Sequence, residues 1–327
     1  MNRSYLYTET AFHHEGDKSY LKKLIFDSKK AGAEGVKFQV LTNVNDFVST
    51  FHNAYDELSN YCLSYDEWDE VFNYTTKLDL EIILMPLNIQ ALELLHKHTV
   101  KFIDIHSVSF NDNELILAIQ KTNIDIILGV GGRTLNEIIN QKNIFGDRLK
   151  VLMVGFQSFP SKIENIKMAK IEQLRSIFPE TEIGYTDHSA FDDKFAILSN
   201  DYARLLGATF FEKHITIDEG EERLDAASAV NASKISEIIE RIKFIEEHVM
   251  NKENSFIMEE EEIAYRNRQL VCVANDNLEI GEVLTENEVA LKMIHKPENY
   301  FFIPKEIYGS VLKNNVKKDE PFTKNHL

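Results

Sequence analysis

Over roughly the first 250 positions, apolar residues fall into short runs separated by longer stretches where they recur every three or four places. The short runs predict β-strands at Tyr5 to Glu9, Gly35 to Val40, Glu81 to Met85, Phe102 to Ser107, Asp125 to Val130, Lys150 to Phe156, Glu182 to Thr186 and Thr209 to His214. The stretches between them have a helical period. In "SYLKKLIFDSKKAG", Leu21, Leu24, Ile25 and Ser28 share one face, and Gly32 follows as a stop signal. The longest insertion runs from Leu41 to about Asp66. Strands alternating with helices imply parallel pairing, and this many units over that length predict a closed (β/α)8 TIM barrel occupying 1–250.

After "ASKISEIIERIKFIEEHVM" the pattern changes. Residues 251–266 are polar and acidic and predict a linker, with Glu259 to Glu262 as a solvated run. From 267 to 327, short β-like runs separated by Gly, Asn and Asp predict a small, mostly β domain with little core of its own. Tyr300, Phe301 and Phe302 look exposed on such a domain and suited to packing against another surface.

In a barrel all strand C-termini converge on one mouth. The predicted ends bring there Glu9, Lys37 with Gln39, Ser107, the "GVGGRT" turn, Gln157, Asp187 with His188, and Glu212 with Lys213 and His214. Two imidazoles on neighbouring strand ends beside carboxylates suit a divalent metal of the Mn, Fe, Co or Zn group. A lone histidine at a strand end is more often structural; a pair at adjacent ends strengthens the metal reading. Lys37 ends a buried strand, where an unpaired ammonium is costly, so an anionic ligand or a structural ion pair with Glu9 must meet it. The Gly129 to Thr134 turn suits a phosphate cradle helped by Arg133, or simply a tight strand-to-helix connection.

The net charge of −17 excludes a nucleic-acid binder, although a recessed site can still hold an anion. No apolar run approaches the roughly 20 residues that span a bilayer, and the N-terminus lacks the features of a secretory signal, so a cytoplasmic location is expected. Cys62 and Cys272 fit no metal or disulfide pattern.

Taken together, "TETAFHHEGD", "AGAEGVKFQ", "VLMVGFQSFPS", "IGYTDHS" and "GATFFEKHITID" resemble the conserved segments of the sialic acid synthase family, in this order. "NRQLVCVANDNLEIGEVLTENEV" resembles the SAF (antifreeze-like) domain that follows the barrel in that family. The resemblance implies metal-dependent condensation of phosphoenolpyruvate with an N-acylated hexosamine, giving a nonulosonic acid and phosphate. It implies His188 and His214 as ligands of a divalent metal, usually Mn, with Mg or Co as alternatives. Glu9, Lys37 and Glu212 would be catalytic; Gln39, Ser107, Arg133, Gln157, Thr186, Asp225 and Lys296 would bind substrate. It also implies a domain-swapped homodimer. The chain departs from the pattern at several places. Ile124 stands where a phosphate-binding lysine is usual, Lys296 where an arginine is usual, Phe159 for a tyrosine and Gln157 for an asparagine, and Asp225 lacks its usual neighbour. Arg133 is then a candidate substitute for the missing lysine. A same-scaffold enzyme with another sugar or phosphorylated substrate, or a non-catalytic sugar- or partner-binding relative, are the alternatives.

Overall fold

A computed structural model describes residues 3–155, 158–251, 256–295 and 299–327. The chain forms two compact units, Met1–Asn251 and Lys252–Leu327.

The first unit is a closed parallel barrel in sequential order. Its strands are β1 (Tyr5–Glu9), β2 (Gly35–Val40), β3 (Glu81–Pro86), β4 (Phe102–Ile105), β5 (Asp125–Gly129), β6 (Leu149–Val154), β7 (Glu182–Asp187) and β8 (Phe210–His214). The ring closes between β1 and β8, with Glu9 opposite both Lys37 and His214. Two expectations need correction at their ends. β4 stops at Ile105, because His106 leaves the strand and caps a short 3-10 turn, its Nδ1 accepting from the Val108 amide at 3.1 Å. The chain between β3 and β4 coils as a 3-10 segment, Ile89–His96, rather than an α-helix. The predicted end of β6 at Phe156 lies outside the described residues.

The first helix, Lys18–Ala31, forms as its period requires. Asp17 accepts from the amides of Ser19 and Tyr20, and Leu21, Leu24, Ile25 and Ser28 are fully buried. Gly32 ends it at φ 89°, where an L side chain would be strained.

Successive strand residues point to opposite faces, so each strand feeds two separate cores. Val36, Phe38, Ile82, Leu84, Ile103, Leu152, Ile183 and Phe211 pack under the helices. Tyr7, Ile83, Phe102, Ile127, Val151 and Met153 fill the barrel interior, with Tyr5 and Phe210 against them. This interior plug closes the N-terminal end of the barrel and leaves the polar inward residues at the other.

The second unit pairs Val271–Ala274 antiparallel with Val289–Lys292 and buries Cys272, Leu278, Leu284, Ile307, Leu312, Val316 and Phe322. Further bridges join Leu278 to Val316 and Val283 to Val311. Phe301, expected to be exposed, packs on this core. The stretch expected as a linker contains a short helix. Residues Glu260–Arg266 form a helix, with Glu259 and Glu262 in a reciprocal cap at its N-terminus, where acidic side chains favour the helix dipole. Among the described residues, no helix is long and apolar enough to cross a membrane.

Gly184 tests the interior packing. A Cβ built there runs into Met153 Sδ and comes within 2.9 Å of Phe210 Cβ. Gly184→Ala is expected to cost about 1–3 kcal/mol by overpacking, read from denaturant midpoints at unchanged slope. An unaltered midpoint would refute the packing assigned to this layer.

Candidate functional site

The mouth encloses a cavity of about 270 Å³. Alternation along the strands sends Glu9, Lys37, Gln39, Thr186, Glu212 and His214 to its wall, and His188 follows β7 in the same phase. The intervening residues turn outward. Asp187 and Lys213 form a buried ion pair at 2.8 Å that faces the helices, so the acid and base beside the two histidines brace the strands rather than the cavity.

Lys37 lies at the centre. Its Nζ is 2.7 Å from Glu212 Oε2, 3.0 Å from Asp104 Oδ2 and 3.2 Å from Glu9 Oε2, all four groups being buried. The sequence left open an anionic ligand or a Glu9 ion pair as its partner; three protein carboxylates meet it. Tyr7 donates to Glu212 Oε2 at 2.7 Å, and Gln39 Nε2 donates to Glu9 Oε1 at 2.8 Å.

These contacts drive the acids apart. Burial raises the pKa of Glu9, but Lys37 and His214 outweigh it and hold the carboxyl well below its usual range. For Glu212 burial dominates over Lys37, and the neighbouring Glu9 pushes further, so this carboxyl is well above its usual range. Asp104 is raised by burial against the pull of Lys37. The cluster thus pushes Glu9 toward its ionised form and Glu212 toward its acid form, the environment-driven division that acid–base chemistry uses.

His214 Nε2 lies 3.1 Å from His188 Nε2 and 3.0 Å from Glu9 Oε2. One ligand atom each from Glu9, His188, Glu212 and His214 fall within 4.8 Å of one another. Nitrogens bound at about 2.1 Å to one ion lie roughly 3.0–3.4 Å apart, so the set fits a divalent cation. Burial, then His214, lowers the pKa of His188 well below the ordinary value and keeps it neutral, as a ligand must be.

Other expected residues scatter. Ser107 and Asp225 reach the cavity wall, Asp225 from a left-handed position at φ 67° and with its carboxyl raised by burial. Arg133 does not line the cavity. Its guanidinium stacks over Phe110 at 4.6 Å and donates to the Ser107 carbonyl and, at 3.4 Å, to Glu137, so it buttresses the rim instead of facing an anion. The helix Leu135–Phe145 is capped from within by Thr134 and Glu137, although Gly129 and Gly131 border the cavity. Gln157 and Lys296 lie outside the described residues.

The sequence reading passed over Asp104 and His106. Asp104 is an acid at an inward position of an otherwise apolar strand, which is a usable signal. His106 borders the cavity with its pKa pushed down to about 4 by burial, hence neutral. Phe12, Leu58, Met85 and Leu224 add an apolar wall drawn from separate segments and belonging to one cluster with Leu41 and Leu87. Phe159 sets its ring against both histidines, with centroids at 5.5 Å from His188 and 6.0 Å from His214.

A family model described as the NeuB family matches residues 24–254. The chain is 27% identical over 342 residues to pseudaminic acid synthase of Helicobacter pylori, covering 96% of this chain and 95% of the other. It is 24% identical over 363 residues to N-acetylneuraminate-9-phosphate synthase of Drosophila melanogaster, covering 99% and 95%. Among solved structures, the N-acetylneuraminic acid (sialic acid) synthetase of Leptospira borgpetersenii superposes with a TM-score of 0.71 at 22% identity, over 81% of this chain and 92% of that one.

Lys37→Met removes the ammonium that faces Glu9, Asp104 and Glu212. Loss of about 3–5 kcal/mol is expected, because breaking a buried pair leaves charge uncompensated. The raised carboxyls of Glu212 and Asp104 favour folding while protonated, a contribution that fades as pH rises through their folded-state values. Without Lys37 both values rise further, so the deficit should be larger at pH 8.5 than at pH 5.5. Equal deficits in denaturant titrations at the two pH values would exclude this charge arrangement.

Proposed function

The chain belongs to the NeuB family, and we propose that it condenses phosphoenolpyruvate with an N-acylated hexosamine in its open form, releasing phosphate and a nonulosonic acid. The observation that carries this reading is the convergence of Glu9, His188, Glu212 and His214 on one point beside buried Lys37 at the barrel mouth. The names of the relatives, synthases of sialic-type acids, supply the substrate class.

His188 and His214 would hold a divalent cation, Mn being favoured and Mg or Co the alternatives, with the Glu9 and Glu212 carboxyls kept for proton transfer; when bound it would supply a Lewis acid for the acceptor carbonyl. Imidazole donors favour a transition ion over Mg. The protein's own groups account for the protons. C3 of phosphoenolpyruvate forms a bond to the aldehyde carbon, and the aldehyde oxygen takes a proton from Glu212, which burial keeps protonated. Water adds at C2 and gives up its proton to Glu9, which Lys37 and His214 keep ionised. The C2–O bond to phosphate then breaks while the new C2 hydroxyl passes its proton to the departing phosphate, which leaves the 2-keto acid. Lys37 holds the acidic cluster in this divided state and offers the cavity its positive charge. Gln39 orients Glu9, and Ser107, Thr186, Gln157, Asp225 and Lys296 are proposed substrate contacts.

A second reading, the same chemistry on a different acceptor, is favoured by the apolar wall of Phe12, Leu58, Met85 and Leu224 and by the turning away of Arg133. We further propose that 267–327 is an SAF domain, that 251–266 joins it to the barrel, and that the protein works as a domain-swapped homodimer in the cytoplasm.

Purified protein should take up one divalent ion per chain, and His188→Ala/His214→Ala should take up none while keeping its barrel circular dichroism. Stoichiometric metal in that double variant would remove the assignment.

With phosphoenolpyruvate and a panel of N-acyl hexosamines, phosphate release should require the sugar. Glu212→Gln should lower kcat by roughly 10²–10⁴-fold, the usual worth of a positioned acid or base. Absence of sugar-dependent release across the panel, from metal-loaded protein, would reject the proposed reaction.

A further inference from the structure

A second polar cluster forms where the segment after β1 meets the segment after β8, apart from the proposed metal ligands. His13 is its centre and is 1% exposed. Its Nδ1 lies 2.6 Å from the Leu224 carbonyl oxygen. A carbonyl only accepts, so Nδ1 carries a hydrogen. Its Nε2 lies 2.9 Å from Thr216 Oγ1, 3.1 Å from Glu221 Oε1 and 3.2 Å from Tyr20 Oη. Both hydroxyls make a shorter contact to that same Glu221 oxygen and donate their single hydrogens there. Toward Nε2, all three oxygens are therefore left as acceptors, and Nε2 must donate too.

We propose that His13 is a buried imidazolium, paired with Glu221, whose second N–H fixes the Leu224 carbonyl and so positions the cavity wall formed by Leu224 and Asp225. The remaining contacts point the same way. Glu15 accepts from the Leu224 amide at 2.9 Å, so the segment after β1 grips Leu224 at both its N–H and its C=O. Arg223 donates to Glu221 at 3.2 Å and to Glu15 at 3.3 Å, and its guanidinium lies 3.8 Å from the centre of the Tyr20 ring. Two cations and two carboxylates thus balance within the cluster. Burial raises the Glu221 carboxyl, but hydrogen bonds from Thr216, Tyr20 and His13 overcome this and hold it at about 2, so it is ionised. His14, the next residue, is pushed down to about 4 by burial and then by His13, and is neutral. Asp225 is a further titratable neighbour, its carboxyl raised by burial and also acted on by His13, while Asp17 acts on His14 and Tyr61 faces Glu15 and Arg223.

His13 is on this account a positioning residue, and its charge state is the distinguishing observable. The test is nitrogen NMR of metal-free protein labelled in its histidine rings, which needs no turnover. At pH 7.5 one ring should carry hydrogens on both nitrogens, should vanish in His13→Gln, and should lose one hydrogen in Glu221→Gln. A singly protonated His13 ring at pH 7.5 in the folded wild-type protein would overturn the proposal, whether or not the variants fold. In Glu221→Gln the Leu224 amide should exchange with solvent at least tenfold faster; unchanged exchange would overturn the positioning part. The link to catalysis rests on the reaction proposed above. There, KM for the acceptor aldose should rise at least fivefold with kcat within twofold, and an unchanged KM would detach Leu224 and Asp225 from acceptor binding. Failure of every acceptor to support turnover would count against the reaction and leave the NMR and exchange results to decide this inference.

Discussion

An ammonium buried among three carboxylates is the constraint from which the site follows. Lys37, Glu9, Asp104 and Glu212 come from different strands and are almost wholly removed from water. One positive charge cannot neutralise three negative ones in such surroundings, because each uncompensated charge costs several kcal/mol. The cluster resolves this by keeping protons. Glu9, which meets His214 as well as Lys37, is pushed toward its ionised form, whereas Glu212 and Asp104 are pushed toward their acid forms. A scaffold that forces these residues together therefore creates an acid and a base from identical functional groups, before any substrate arrives.

The way the barrel forces them together depends on neighbours that never see the cavity. At the ends of β7 and β8 each histidine is preceded by a charged residue of opposite phase. Asp187 and Lys213 meet on the helix side at 2.8 Å, and the Ser189 amide donates to Asp187 at 2.9 Å. That outward lock fixes how far the two strand ends project, and so brings His188 and His214 within 3.1 Å on the inward side. The plug of Tyr7, Ile83, Phe102 and Met153 beneath them excludes water from below. Packing, an external ion pair and an internal charge cluster thus act on the same few residues.

Much of this was legible in the sequence because strands write a period of two. The run "GVKFQV" shows polar residues at every second place within apolar surroundings, and the strand limits follow closely. What the pattern did not show depends on tertiary placement. A lone Asp104 in "FIDIHS" looks like an interruption until Lys37 stands beside it. Arg133 follows a glycine turn that invites an anion, yet Phe110 and the Ser107 carbonyl, neither readable from spacing, draw it to the rim. The acidic run at Glu259 is exposed, as its composition implies, but the reciprocal cap that Glu262 closes there appears only in the structure. His13 and Glu221 are far apart in sequence and share no period, so only the structure joins them.

The charge of the cavity wall limits what it can hold. Among the described lining residues, Glu9, Asp104, Glu212 and Asp225 face a single ammonium, Lys37, which is already engaged by three of them. A ligand bearing both a carboxylate and a phosphate would meet repulsion there unless protons or a cation entered the balance. The raised carboxyls of Glu212, Asp104 and Asp225, and the two neutral imidazoles at His106 and His188, all move the cavity in that direction. A divalent ion between the histidines would add two charges where the ligand needs them. The apolar wall of Phe12, Leu58, Met85 and Leu224 offers nothing to a second phosphate and suits an acyl or deoxygenated substituent. The cavity lining is therefore chemically divided, with the charge cluster suited to an anion and the apolar wall to a weakly polar group, as the proposed condensation of two unlike substrates would use it.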